Sequence, residues 1–185
     1  MSLIMLKGQS ANQGRRFRRQ YVQGAVFQYL GEDITLNLLP SSSEKHCQVE
    51  RVDDRLDVSL PRHIDRSDTA AIQAAIEHFY RQQAKLYLPQ RTREIAAALG
   101  FEYERVRIKN QRTRWGSCSS KRNLNFNLRL MMTLPDAIDY IIIHELCHLV
   151  HMNHSPAFWA LVAKHCPSYK IWHQWFKQNS RYIVF

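Results

Sequence analysis

The residues best suited to chemistry are His144-Glu145-Leu146-Cys147-His148. On a helix, His144 and His148 differ by about 40° around the axis and about 6 Å along it. Two imidazoles at that spacing can grip one cation from a single face, and Zn²⁺ accepts such nitrogens at about 2.0–2.1 Å. Glu145, next to the first ligand, then reaches water beside the cation without ligating it, which is the mechanical content of the HExxH pattern.

The third ligand sets the subclass. His151 shares the helical stripe of His144 and His148, but lies about 10 Å from His144 on a straight helix, awkward for sharing one ion. His154 follows Asn153, a residue that tolerates the left-handed conformation in which helices end. A chain turning there would bring His154 back toward the pair. The spacing is that of HExxHxxGxxH, with His151 at the glycine position. No Asp or Glu follows Glu145, so a later carboxylate ligand is excluded. His154 is the expected third ligand and His151 the alternative, while His165 and His173 are expected to cover the core or its rim.

Three neutral imidazoles leave the cation its charge and a fourth position for water, an arrangement suited to hydrolysis with Glu145 as base. A second electrophile is wanted for the oxyanion, and Arg112, Arg114, His151 and Tyr169 are candidates. The run Arg112–Cys118 reads either as an edge strand to which a peptide adds or as a structural hairpin, with Trp115 packed and Gly116 permitting a bulge. On the first reading Arg112, Arg114, Trp115 and His151 contact substrate.

Two rival functions remain. Seven Lys or Arg lie from Arg105 to Arg122 with no acid among them, a surface that could hold a nucleotide for metal-dependent phosphoanhydride hydrolysis (a pyrophosphatase). Three histidines, however, favour zinc over Mg²⁺, and no Walker-type glycine loop is present. The net charge of +10 and the cluster Arg15-Arg16-Phe17-Arg18-Arg19 fit a nucleic-acid-associated module with a structural metal. A structural zinc site normally has four protein ligands, and Cys147 lies nearly opposite the histidine stripe. Peptide hydrolysis ranks first.

The elements that must position these residues read as α+β. Tyr21–Leu30, Ile34–Leu39, Val49–Val52 and Leu56–Leu60 are expected to form two β-hairpins, with a polar turn after Pro40. A helix starts near Ser67 or Asp68 with an apolar stripe at Ile72, Ile76, Phe79 and Leu86; a second runs from Pro89 to Leu99 and stops at Gly100. Val106–Lys109 and Leu124–Leu130 alternate as strands, with Asn125, Asn127 and Arg129 facing outward. Three helices close the chain: Pro135 to Met152, one capped by Ser155-Pro156, and one from Ser168 through Gln178.

At 185 residues the chain suits one domain. Its expected parts are a basic arm over 1–20, a β-hairpin region over 21–66 and a catalytic core over 67–185. No apolar run approaches the roughly 20 residues of a membrane span, and the start is too short for a secretory signal. Cys47, Cys118, Cys147 and Cys166 form no CxxC pair, a usage that suits a reducing cytoplasm. Oligomeric state is not legible.

Taken together, Arg112-x-Arg114-Trp115-Gly116-Ser117-Cys118, HELCHL at 144–149, Asn153-His154-Ser155 and Phe158-Trp159 resemble the bacterial YgjP-like metallohydrolases. These are relatives of the SprT-like and minimal zincin metallopeptidases. The resemblance implies a zincin-type fold, in which a small twisted sheet packs against the HExxH helix. It also implies zinc ligands at His144, His148 and His154 and a catalytic glutamate at Glu145. It does not fix the substrate, and DNA-associated relatives leave room for nucleic-acid binding beside catalysis.

Overall fold

The structure, a computed structural model, describes residues 19–40 and 46–185. Up to residue 18, the expected basic arm lies outside the described residues, as do residues 41–45 of the turn after Pro40.

Alternating side chains build a first sheet. β1 (Val26–Tyr29) and β2 (Glu32–Pro40) pair antiparallel across Leu30-Gly31, both at positive φ (49° and 86°), as a tight hairpin with the twist of its strands requires. β3 (Gln48–Val52) and β4 (Arg55–Leu60) form the second hairpin. Both expected hairpins are therefore present. They join through parallel pairing of β2 with β4, giving the order β1-β2-β4-β3. Ile34, Leu36 and Leu38 on β2 are buried, as are Leu56, Val58 and Leu60 on β4.

α1 (Thr69–Leu99) begins where the Asp68 carboxylate accepts from the Ala71 N–H at 3.0 Å, and ends at Gly100 with φ 73°. Two helices with a break at Pro89 were expected; one continuous helix passes through it. Packing decides this. Leu88 and Thr92 are fully buried on either side, and the Thr92 hydroxyl donates to the Leu88 carbonyl at 2.6 Å. The carbonyl that proline leaves unpaired belongs to Lys85, which is exposed and open to water. Leu86, expected on the apolar stripe, is 70% exposed; the buried stripe runs through Ile72, Ile76, Tyr80, Ala84 and Leu88.

A second sheet holds β5 (Arg105–Lys109), β6 (Gly116–Cys118) and β7 (Asn123–Asn127) in the order β5-β7-β6. Arg105, Arg107 and Lys109 face solvent as expected. β7 stops short of the expected Leu130, because Leu128–Met132 turn into a 3₁₀ segment. Leu128, Leu130, Met131 and Met132 are all buried there, and consecutive burial breaks the two-residue period of a strand. Asn127 is a further correction. It was expected to face outward and is 2% exposed. Its amide donates to the carbonyls of Gln111 (2.6 Å) and Arg114 (2.8 Å), while its own side-chain oxygen accepts from the Arg129 N–H at 3.1 Å. Arg129, also expected outward, is half-buried, drawn inward as the chain turns into the 3₁₀ segment.

α2 (Pro135–Cys147), α3 (Pro156–His165) and α4 (Tyr169–Asn179) complete the chain. α2 ends at Cys147, not at Met152, because its last turn tightens through Leu149 N–H to Leu146 O (3.0 Å) and Val150 N–H to Cys147 O (3.1 Å). Ser155 caps α3 as expected, its hydroxyl accepting from the Phe158 N–H at 3.4 Å. Arg91 on α1 clasps Asp139 on α2 with two hydrogen bonds of 2.8 and 2.6 Å. The architecture is α+β, with the small second sheet packed against α2 through β6. Among the described residues no helix is long and apolar enough to cross a membrane.

Candidate metal centre

α2 carries His144 and Glu145 on its last turn, and His148 caps it. The tightened turn after Cys147 brings His154 back over the helix end. The ligand-capable nitrogens of His144, His148 and His154 all lie within 4.8 Å of one another. The return needs no left-handed residue at Asn153, contrary to expectation, since that position has no positive φ. The Asn153 side-chain oxygen instead accepts from the Ser155 N–H at 3.3 Å, which fixes the entry into α3.

The donor set fits one cation. His144 Nε2 and His154 Nε2 are 3.1 Å apart, close to the roughly 3.3 Å between two nitrogens sharing a tetrahedral ion at about 2.05 Å. His148 Nδ1 lies 2.9 Å from the His151 carbonyl. A carbonyl only accepts, so Nδ1 carries the proton and Nε2 keeps its lone pair for a ligand role. Burial, reinforced by the neighbouring His148, His154 and His173, pushes His144 down to about 3, and burial also lowers His148. Both imidazoles are thus neutral at physiological pH, the state that ligates. His154 is exposed, so the cluster opens to solvent on its side.

Aromatic rings hold the imidazoles in place. Phe158 stacks on His148 (4.4 Å, 23°) and Trp159 on His154 (5.6 Å, 30°). Trp159 stacks in turn on Tyr169 (5.5 Å) and meets His173 edge-on. Tyr140 pairs its hydroxyl with His173 Nδ1 at 3.1 Å.

Glu145 is 5% exposed, and its Oε2 has no hydrogen-bond partner among the described residues. Burial raises its carboxyl to about 8, against the opposing pull of the Arg114 guanidinium. β6 lies alongside: a Cβ on Gly116 would fall 2.6 Å from Glu145 Oε1 and 2.8 Å from Cδ. Gly116 therefore gives the carboxylate room by close approach; the bulge read from the sequence is not its role. Among the described residues β6 pairs with β7 alone, which leaves its other edge without a strand partner.

The remaining expected site residues divide. Arg114 is near enough to act on Glu145. Arg112 is exposed, and its charge acts on Arg129. Trp115 packs on Phe176 (4.9 Å) and donates to the Ser180 hydroxyl at 3.0 Å, as in the structural-hairpin reading. His151 enters through its carbonyl, and its ring lies outside the cluster. Cys147 and Cys118 stay outside as well, their thiols pushed up to about 12 and about 11 mainly by burial. Sequence reasoning missed the Gly116 contact, the Asn127 clamp and the Tyr140–His173 pair. The placement of Phe158 and Trp159 on the first turn after the Ser155 cap was the one local signal of the stacking.

The model of the YgjP-like family, described as a metallopeptidase domain, matches residues 3–179. The chain belongs to the YgjP-like family. No curated protein matches it. Among solved structures it is similar to two metallopeptidase zymogens, abylysin of Pyrococcus abyssi and jannalysin of Methanocaldococcus jannaschii. Identity is 22% and 23%, the TM-scores are 0.43 and 0.41, and each similarity covers 49% of this chain and 93% and 95% of theirs. Membership rests on the family model.

Proposed function

We propose that this metallopeptidase domain is a zinc-dependent peptide hydrolase, with His144, His148 and His154 as ligands and Glu145 as base. The observation that carries this reading is the convergence of three imidazoles from one helix end and the following turn, beside a buried carboxyl. Bound there, zinc would supply Lewis acidity, lowering the pKa of water toward about 7 and polarising the scissile carbonyl. Its charge would also favour the Glu145 carboxylate and draw that group down from about 8 toward the working range of a general base.

In this mechanism Glu145 takes the proton of the attacking water and returns it to the leaving amine. Gly116 keeps the carboxylate free to swing between the two positions, because no Cβ obstructs it. The peptide adds along the free edge of β6 by main-chain pairing, which presents its carbonyls beside Glu145. Arg114, whose charge acts on Glu145, and His173, which acts on His144 and pairs with Tyr140, are the groups assigned to the developing oxyanion.

Metal analysis of the purified chain, with peptide turnover in parallel, tests the proposal. We expect about one zinc per chain, lost in His144→Ala, and retained without turnover in Glu145→Gln. Wild-type protein that binds no zinc under replete conditions overturns it.

A further inference from the structure

Beyond β6 the chain holds a cavity of about 1420 Å³ between the 110–115 segment, α1, Arg129 and the last residues. Arg19, Arg112, Arg114, Arg129 and Arg181 line it, and among the described residues Glu77 is the one acidic side chain there. Glu77 is already paired with Arg81 at 2.8 Å. Arg19 is engaged as well, donating to the carbonyls of Val26, Tyr182 and Val184. The other four guanidiniums make no ion pair with a described residue. Arg129 Nε is buried without a hydrogen-bond partner, and its charge feels both the Glu77 carboxylate and the like charge of Arg112. Five guanidiniums against one carboxylate that is already paired leave an excess of positive charge at a concave site, which selects an anion.

The wall is rigid and joined to the candidate active site. Asn127 holds the 111–115 segment by two carbonyls and, through its own N–H, by that of Trp115 at 2.8 Å. That segment leads directly into Gly116 and β6. Residues 112–115 bend and are not part of the strand; since a chain reaches at most about 3.3–3.6 Å per residue, Arg114 and Arg112 are still joined to Gly116 within the reach of a short peptide.

We propose, resting on the peptidase reading, that this cavity binds acidic side chains of an extended peptide, so that substrates carrying Asp or Glu on one side of the scissile bond are preferred. Its volume exceeds the roughly 300–1,000 Å³ of a small-molecule pocket, which argues for a chain over a compact metabolite. A nucleic-acid strand would need open ring faces on which to stack. Here the ring of Trp115 is against Phe176, Tyr21 is buried, and Phe185 is held between Tyr80 (5.4 Å) and Arg129 (5.6 Å).

The test measures binding apart from cleavage. Two fluorescein-labelled decapeptides, identical except for four Glu in one and four Gln in the other, are titrated by anisotropy against full-length Glu145→Gln protein loaded with zinc. An oligonucleotide of single-stranded DNA is titrated beside them. The Glu peptide should bind about tenfold tighter at low salt, as a few exposed ion pairs supply, and the gap should close by 0.5 M salt. Adding the exposed pair Arg112→Gln and Arg181→Gln should remove the preference, with an unchanged thermal melt showing that the fold is intact. Equal affinity for the two peptides, a preference that survives the substitutions, or tighter Arg-dependent binding of the oligonucleotide overturns the proposal. Wild-type cleavage separates the two ideas. Turnover indifferent to Glu or Gln leaves the peptidase standing and sinks the acidic preference. Selective binding without turnover of either peptide supports the cavity and sinks the peptidase.

Discussion

At the scale of single residues, the contact between Gly116 and Glu145 is the tightest constraint on the site. Gly116→Ala puts a methyl where the carboxylate sits, so Glu145 must rotate away. Turnover should fall at least about tenfold while zinc content is kept, with about 1–3 kcal/mol lost in stability from overpacking. Peptidase assays beside thermal melts check both. Wild-type turnover in that variant would remove the carboxylate from its position beside β6. Glu145 and His144 also predict how the chelated protein responds to pH. The Glu145 carboxyl rises from 4.5 to about 8 on folding. Its contribution to stability is therefore full below 4.5 and lost as pH rises through about 8. His144 falls from 6.5 to about 3, so its contribution is full above 6.5 and lost as pH falls through about 3. The two slopes oppose each other between 4.5 and 6.5, and above that window Glu145 acts alone. In EDTA the melting temperature should decline from pH 6.5 to 8, and Glu145→Gln should flatten that decline. An unchanged slope would mean the carboxyl is ionised throughout.

At the scale of elements, α1 and the Asn127 clamp make separate predictions. Pro89 denies α1 a hydrogen bond in its interior. Pro89→Ala should raise stability by about 1–3 kcal/mol, less than the full cost of a mid-helix proline because the freer unfolded chain offsets part of the gain. A lower denaturation midpoint would mean that the helix needs the proline ring for packing. Asn127→Ala strips the partners from the Gln111 and Arg114 carbonyls. It should cost about 1–3 kcal/mol and speed amide exchange in β6 relative to β5. What the sequence showed and hid follows from the range of each cause. The HELCH face, the Ser155 cap and the Gly100 stop are local, so spacing alone revealed them. Pro89 was read as a helix start because that rule sees neighbours only, whereas the burial of Leu88 and Thr92 is tertiary. Asn127 kept the alternation of a strand up to its last residue, and only the carbonyls of a distant loop show why it turns inward. Gly116 and Glu145 touch across a gap in sequence that no periodicity bridges.

At the scale of the molecule, the sheet-on-helix core was legible because alternating strands and amphipathic helices each had one apolar face to bury. The parallel junction of β2 and β4 was not, since two hairpins can meet along any edge. Arg19 was read as part of a basic arm. It donates instead to carbonyls of β1 and of the chain's last residues, joining two ends that composition cannot connect. The aromatic ladder reaches equally far. His148 leans on Phe158, His154 on Trp159, and Trp159 on Tyr169, so the imidazoles of α2 and its turn are braced by α3 and the start of α4. Were a cation held by the three rings, as proposed, ligation and helix docking would be one thermodynamic event, each strengthening the other by the same free energy. An ion that fixed the three rings would also slow the opening of the C-terminal helices, and a protease attacking that region would become a gauge of metal occupancy.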